Sequence, residues 1–448
     1  MTRFVPVDRE TQYLFPPSVQ EWLPDDHLAR FIVDVIEQLD WSELEQSYAG
    51  RGSDAHHPAM LVALLLYGYA TGTFSSRALE RASYDSIAVR YITANNHPDH
   101  DTINSFRRRF LKQIEAIFIQ VLGYAQVMGM LKLGTVSLDG TKVHANASRH
   151  KAMSYGYAKK RQAQLKAEVT ALLKRAEAAN ARDLPEGLSI PEELARREQR
   201  LTAIAAAKQK IEARVKAEAE AAHAAKLAAR EQRAKKTGKR PRGRPPAPPT
   251  GTPSDKDQVN FTDEDSRIMP VPGGGFEQAY NAQAAVDTDS MLVVASALTQ
   301  ATNDKQQVVP MLEQLQALPP ELGRVKTLIA DAGYASEDNV NACAQAKIRP
   351  LIALGRDTHH PSLRARFNEP PPLTAKPTAL EAMRHHLTTR RGRQLYALRK
   401  STVEPVFGLI KRVMKFRQFS LRGVAGARGE WKLVCLAWNL KRMNALST

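Results

Sequence analysis

The chain has 448 residues, 43% of them apolar, and carries a formal net charge of +17. At roughly 150 residues per domain this length predicts about three domains, and the apolar content excludes a wholly disordered protein. The two cysteines, Cys343 and Cys435, stand far apart, which excludes a disulfide scaffold and a cysteine-rich zinc module. The surplus of positive charge makes a polyanion, with nucleic acid first, the expected partner.

No signal peptide and no membrane span are predicted. The N-terminus lacks an apolar stretch after its charged residues. The most apolar uncharged run, 59–76, falls short of the ~20 mainly apolar residues of a span and indicates a buried helix. Together with the low cysteine content, this favours a reducing, cytoplasmic location.

Residues 1–130 are predicted to form an all-α domain, because apolar residues recur at helical spacing and Pro58 opens an apolar helix. Asp101-Thr102 are expected to cap a later helix that carries consecutive arginines at 107–109. Several short helices ending in a basic one indicate a helix-turn-helix-like DNA contact, with Arg107 and Arg108 as candidates. A helical bundle with a solvated arginine face remains the alternative.

A strand and a helical insertion follow. Residues 131–147 are rich in strand formers, and Asp139 interrupts the apolar run. Residues 157–236 are rich in Ala, Lys, Glu and Arg, with apolar residues at helical or heptad spacing, which predicts an antiparallel helical hairpin. We expect its turn at Leu184-Pro-Glu-Gly187 and a capping box from Ser189 to Glu192. A solvated spacer and a dimerisation arm or DNA clamp are both open.

A basic segment comes next. Between Arg230 and Arg244 stand eight basic residues and one acid, and proline-rich sequence continues to Pro253. Because this composition forms no core, a disordered linker is expected. Within it, Pro241-Arg242-Gly243-Arg244-Pro245 resembles the AT-hook, whose glycine lets the backbone lie deep in the minor groove while the arginines point into its negative potential. Non-specific phosphate contact is the alternative.

From residue 275 strands and helices alternate, which implies a mixed α/β sheet with parallel crossovers. One predicted helix, 304–318, contains Pro310, which either kinks it or marks its true start. Residues 357–385 look loop-like. The strands expected at 276–286 and 291–298 form a hairpin around 287–290. The other expected elements are strands at 325–330 and 348–353, and helices at 336–346, from about 401, and at 431–440.

Three acidic residues are placed for chemistry. Asp139 interrupts one apolar strand and Asp331 ends another, and ligands of open α/β sheets bind at the carboxyl ends of strands. Glu404 is the one acid among twelve Lys and Arg between Arg384 and Arg428, and Pro405 places it at a helix start. Carboxylates suit Mg²⁺ or Mn²⁺, and two such ions promote phosphodiester cleavage. Helix-capping aspartates and a simply ion-paired glutamate are the alternatives.

The sequence contains no motif of the other common hydrolytic enzymes. It contains no Gly-x-x-x-x-Gly-Lys-Ser/Thr loop, no His-Glu-x-x-His and no Gly-x-Ser-x-Gly. An ordinary P-loop ATPase, a zincin-type metalloprotease and an α/β-hydrolase are therefore not expected.

Four segments resemble, in the right order, the motifs of the DDE transposases of bacterial insertion sequences, which have a ribonuclease-H-like catalytic core. The stretch 57–110 resembles the helical domain that precedes this core. The resemblance implies 1–130 as a DNA-binding domain, 131–156 and 256–448 as the catalytic core, and 157–255 as an insertion outside the family pattern. The four segments are 136–145, 275–287, 328–334 and 403–423.

The resemblance also implies roles for single residues. Asp139, Asp331 and Glu404 become the catalytic triad that binds two Mg²⁺ or Mn²⁺ ions. Arg399 or Lys400, with Lys411, would hold the DNA backbone. The family places Tyr, Arg, Glu and Lys at fixed spacing; here Glu404 and Lys411 fit it, whereas Tyr396 and Arg399 are offset by one residue.

The implied reaction cuts the element's ends by hydrolysis and then joins the freed 3′-OH to target DNA by transesterification. Two ends must be held together, so a homodimer or larger assembly is expected, associated with the bacterial nucleoid. A metal-dependent nuclease without strand transfer, and a non-catalytic DNA-binding architectural protein, are the alternatives.

Overall fold

The computed structural model describes residues 18–48, 55–111, 113–178, 190–237, 243–271, 274–355, 368–373 and 377–447. The chain forms two compact units. The first contains the residues up to His144 and from Tyr280 onward, and the second contains Ala145–Ala279.

The described part of the N-terminal region is helical, as predicted. Pro58 does open a helix, capped by His57 and buried on nearly all sides. The cap predicted at Asp101-Thr102 is wrong. The capping residue is Asp99, whose side chain accepts from the Thr102 N–H at 2.7 Å, and the helix begins at His100. The helices are α1 Val19–Trp22, α2 Leu28–Glu37, α3 Ser42–Gln46, α4 Pro58–Thr71, α5 Ser76–Asp85, α6 Ile87–Ile92, α7 His100–Phe110 and α8 Ile114–Val127.

The described strands are β1 Leu133–His144, β2 Ala152–Ser154, β3 Gln258–Asn260, β4 Arg267–Pro270, β5 Phe276–Asp287, β6 Val293–Thr299, β7 Gly323–Ala330 and β8 Arg349–Ile352. In the first unit the order is β6-β5-β1-β7-β8. Strand β1 runs parallel to β7, β7 runs parallel to β8, and β5 pairs antiparallel with β6. The predicted hairpin and parallel crossovers are confirmed, and with the flanking helices so is the ribonuclease-H-like fold class.

Eight further α-helices follow in the described residues. They are α9 Tyr155–Ala178, α10 Ile190–Thr237, α11 Val308–Ala317, α12 Glu337–Gln345, α13 Ala379–Thr388, α14 Arg390–Ser401, α15 Val403–Arg412 and α16 Gly423–Ser447. Helix α11 begins four residues after the predicted start, and Pro310 lies in its first turn, where a missing N–H leaves no gap in the ladder. The loop predicted for 357–385 is wrong from Ala379 onward, because a capping box joins Thr378 and Glu381.

Helix α16 forms the centre of the first unit. It packs against β6, α4 and α8, and most of its residues from Ala427 to Met443 are buried. Trp431 Nε1 donates to the Gln283 carbonyl at 3.0 Å. Buried Asn439 both accepts from the Val293 N–H and donates to the Val293 carbonyl, at 2.8 Å each. The sheet edge at β6 is therefore bonded to a helix side chain.

The second unit is built on the predicted helical hairpin. Leu165 of α9 packs against Ile204 of α10, and Ile211 packs against Val259 of β3. Strand β3 pairs with β2, and β4 pairs with 276–279, the start of β5. The predicted turn at 184–187 and the capping residue Ser189 lie outside the described residues.

The disordered linker predicted from Arg230 is wrong up to Thr237. Helix α10 continues to Thr237, because alanine, lysine and arginine are good helix formers. From 243 to 253 the chain forms neither helix nor strand and is bonded to α10: Arg230 donates to the Arg244 carbonyl at 3.2 Å, and the His223 ring contacts the Pro246 carbonyl at 3.2 Å.

No single helix in the described ranges has the length and apolar composition to cross a membrane. Helices α4 and α5 meet those criteria only as a pair, which is bent by 98°.

Candidate active site

Two of the predicted acids lie side by side because their strands are paired. In the parallel register of β1 and β7, Leu138 stands opposite Ala330. Asp139 directly follows Leu138, and Asp331 directly follows Ala330, so the register places the two aspartates next to each other. One oxygen of each carboxylate accepts a nearby backbone N–H at 2.8 Å: Gly140 donates to Asp139, and Gly333 to Asp331. The acids are thereby oriented by their own turns.

The environment of Asp139 favours the protonated carboxyl. Its side chain is only 17% exposed. Burial, the largest cause, and the charges of Asp331 and Asp304 together raise its pKa from 3.8 to about 7. The Gly140 N–H and the Arg399 guanidinium act in the opposite direction. The shift therefore comes mainly from the removal of the carboxylate from water.

Glu404 lies at the start of α15, as predicted, and one arginine connects it to Asp139. Helix α14 ends at Ser401, and α15 begins after the break at Thr402. Arg399 reaches across this break, with its guanidinium 2.7 Å from Glu404 Oε1 and 3.5 Å from Asp139 Oδ2. Glu404 is thus ion-paired, which was the alternative to a catalytic role. Its partner, Arg399, is itself a residue that the sequence predicted to contact DNA.

Lys411 connects helix α15 to the strand that carries Asp139. Its ammonium donates to Thr141 Oγ1 at 2.5 Å and to the Lys142 carbonyl at 2.8 Å. Burial, and then the charge of Lys142, lower the pKa of Lys411. Two of its three N–H donors are therefore used inside the protein. Lys400, by contrast, is exposed.

A fourth acid, Asp304, was missed. It lies between β6 and α11, where the sequence pattern had suggested the start of a helix. Its Oδ1 accepts from Asn281 Nδ2 at 2.6 Å and from Gln283 Nε2 at 2.7 Å. The signal was present in the sequence: two amide side chains interrupt the mainly apolar run 279–286, and buried amides require partners.

The donor set fits a divalent cation, although among the described residues no three His, Cys, Asp or Glu side chains form a group that could hold one metal ion. The site offers carboxylate oxygens, the ligands of Mg²⁺ and Mn²⁺. Asp139 is buried beside like charges, which a cation would relieve. Arg399 already places a positive charge between Asp139 and Glu404.

The predicted DNA-binding residues outside this site differ in their exposure to solvent. Arg108 is exposed on α7, whereas Arg107 is buried and donates to the Phe74 carbonyl and to Asn104 Oδ1. The predicted contact through Arg107 is therefore corrected, because its guanidinium stabilises the helical domain. Gly243, at φ +98°, and Arg244 lie in the segment that is bonded to α10, and Arg242 lies outside the described residues.

Comparison with family models identifies two regions. Residues 17–109 match a transposase domain (DUF772), and residues 258–440 match a transposase DDE domain. The second match contains Asp304, Asp331 and Glu404, and Asp139 precedes it. Neither the comparison with curated proteins nor that with solved structures returns a match.

Proposed function

The chain belongs to the DDE transposases, a family that binds DNA and generally uses divalent metal ions, and from this premise we propose that it cuts the ends of its own insertion sequence and joins the freed 3′-OH to target DNA. One observation carries the proposal: the β1–β7 register brings Asp139 beside Asp331, and Arg399 joins Asp139 to Glu404.

Asp139, Asp331 and Glu404 are the residues that would hold two Mg²⁺ or Mn²⁺ ions. Bound ions of this kind lower the pKa of water and stabilise the leaving oxygen of a phosphodiester. The chain itself supplies orientation. Gly140 and Gly333 each hold one carboxylate oxygen through a backbone N–H. The other oxygen of Asp139 lies 3.5 Å from the Arg399 guanidinium.

Arg399 has a second role in this proposal. Its guanidinium is bound to the two carboxylates that a cation would take. Once these are neutralised, the planar guanidinium is available for a phosphate, which it suits geometrically. Exposed Lys400 lies next to it in sequence and provides a second positive charge.

We further propose that the element's ends are held by the helical domain through Arg108 and by the basic segment of residues 242–244. Because two ends must be cut together, two or more copies of the chain assemble on DNA. The activity takes place on double-stranded DNA in the bacterial cytoplasm.

The experiment uses the purified full-length protein and a labelled duplex that carries the ends flanking its gene, with Mg²⁺ or Mn²⁺. Asp139→Ala, Asp331→Ala and Glu404→Ala are compared with Asp338→Ala, an exposed acid on α12. We expect metal-dependent cleavage and joining in the wild type and the control, and DNA binding alone in the three site variants. Cleavage without joining would support a nuclease instead, and binding without cleavage under either metal an architectural protein.

A further inference from the structure

Two polar residues of the second motif have no role in the function proposed above. Asn281 and Gln283 are fully buried on β5, in a segment whose neighbouring residues are mostly alanine and valine. Burying amides is costly unless they are hydrogen-bonded. Both donate to the same atom, Oδ1 of Asp304. The motif is therefore built around an acid outside it.

Asp304 reaches the turns that carry both strand aspartates. A Cβ added to Gly140 would stand 2.8 Å from Asp304 Oδ1, and one added to Gly333 would stand 3.7 Å from Asp304 Oδ2. The same point on Gly333 is 3.0 Å from Asp331 Oδ1. Because Gly140 and Gly333 have no Cβ, the turns after Asp139 and Asp331 both leave room for Asp304.

The loop that carries Asp304 is fixed to the Asp331 turn by two routes. Gln283, which donates to Asp304, also accepts from the Tyr334 hydroxyl. Asn339 of α12 donates to the carbonyls of Lys305 and Tyr334 at 2.7 Å each. The position of Asp304 is therefore determined by buried bonds rather than by a freely moving loop.

A carboxylate at this position adds a negative charge that its hydrogen bonds do not require. The amides of Asn281 and Gln283 need only a carbonyl oxygen, which asparagine would supply. The charge of Asp304 instead acts with that of Asp331 to raise the pKa of Asp139, although Lys142 Nζ lies 3.9 Å from Asp304 Oδ1 as an ion-pair partner. Oδ1 accepts from both amides, and Oδ2 lies toward the Asp331 turn. A divalent cation would relieve the repulsion among the three carboxylates.

We propose that Asp304 is a fourth acidic residue of the metal centre, held in place by Asn281 and Gln283, and that its carboxylate strengthens divalent-cation binding. This inference rests on the proposed function, because it assumes that Asp139 and Asp331 bind the cation.

The test measures Mn²⁺ binding to the full-length protein without DNA, by electron paramagnetic resonance of free Mn²⁺. Asp304→Asn keeps an acceptor for the two amides and removes the charge, so its melting temperature in EDTA should be no lower than that of the wild type. Its Kd for Mn²⁺ should rise about tenfold or more, as for loss of a group that supports a metal site. Asp338→Asn removes an equal charge from exposed α12 and should leave the Kd unchanged.

Two results would overturn different claims. An Asp304→Asn variant that binds Mn²⁺ as the wild type does makes Asp304 a structural residue and ends this inference. Equal Mn²⁺ binding by the wild type and Asp139→Asn removes the proposed function itself. Asp304→Asn and the wild type are compared at a temperature where circular dichroism shows both proteins folded.

Discussion

At the scale of the residue, the site is a set of carboxylates with one internal cation. Arg399 lies between Asp139 and Glu404, 260 positions from Asp139 in sequence. Its side chain is 15% exposed, so solvent screens it less than a surface arginine. The protein thus stabilises two otherwise repelling acids before any metal is present, and metal and arginine compete for them.

This competition predicts the behaviour of Arg399→Gln. Removing the guanidinium should tighten Mn²⁺ binding by about two- to fivefold, the equivalent of a partly exposed ion pair of about 0.5–1 kcal/mol. The same change should weaken DNA binding. Manganese titration and a DNA-binding assay measure the two effects, with Arg390→Gln on the exposed start of α14 as the control. Weaker Mn²⁺ binding in Arg399→Gln would refute the competition.

The raised pKa of Asp139 predicts a dependence of stability on pH. The folded pKa, about 7, lies above the ordinary 3.8, so between about pH 4 and 7 the native state keeps a proton that the unfolded chain has lost. The contribution of this group to the unfolding free energy therefore falls as pH rises through that window. In EDTA, Asp139→Asn should melt above the wild type by more at pH 8 than at pH 5. A difference that is constant with pH would contradict the assignment.

At the scale of the element, helix α16 joins the two matched transposase regions within the first unit. Its buried Glu430 accepts from the Tyr69 hydroxyl of α4 at 2.7 Å, and from the N–H groups of Ser420 and Leu421 at 2.9 Å each. Tyr69 belongs to the region 17–109 and Glu430 to the region 258–440. The Glu430 carboxylate therefore connects α16 to the loop at 420–421 and to α4 of the helical domain.

Truncating this acid should be costly. Glu430→Ala leaves a hydroxyl and two N–H donors without their acceptor, and hydrogen bonds to a charged group are worth about 1.5–3 kcal/mol each. We expect the free energy of unfolding to fall by about 3 kcal/mol or more in urea titrations, and by about half as much for Tyr69→Phe. Glu313→Ala on the exposed side of α11 is the matched control. Equal stability of Glu430→Ala and the control would contradict this role.

At the scale of the whole molecule, the dominant property is a net charge of +17. Binding of such a protein to DNA releases counterions, so its affinity should fall steeply with salt. The structure separates basic residues that are exposed, such as Lys400 and Arg108, from Arg107 and Lys411, whose donors are used internally. Counting basic residues therefore overestimates the number of phosphate contacts.

The salt dependence tests this distinction. Lys400→Gln should lower DNA affinity and reduce the slope of log K against log salt by about one, the value for a single phosphate contact. Asp338→Asn should leave the slope unchanged. Fluorescence anisotropy of a labelled duplex from 50 to 200 mM salt gives both quantities. An unaltered slope for Lys400→Gln would remove this lysine from the interface.

The sequence by itself was sufficient for local structure and for the family. Helical and alternating periodicities depend on neighbouring residues, and they predicted the helical domain, strands β1 and β7 and the α9–α10 hairpin. Motif order predicted a transposase core with Asp139, Asp331 and Glu404 as its acids. The positive charge predicted a nucleic-acid partner. Each of these features is encoded within short stretches or in composition.

Only the tertiary structure decided which side chains meet. The β1–β7 register placed Asp139 beside Asp331, and packing brought Arg399 between two acids and buried Arg107. The role of Asp304 was hidden because its partners, Asn281 and Gln283, lie more than twenty residues earlier on another element. Contacts of this kind depend on register and on the packing of distant segments, which no local pattern of residues specifies.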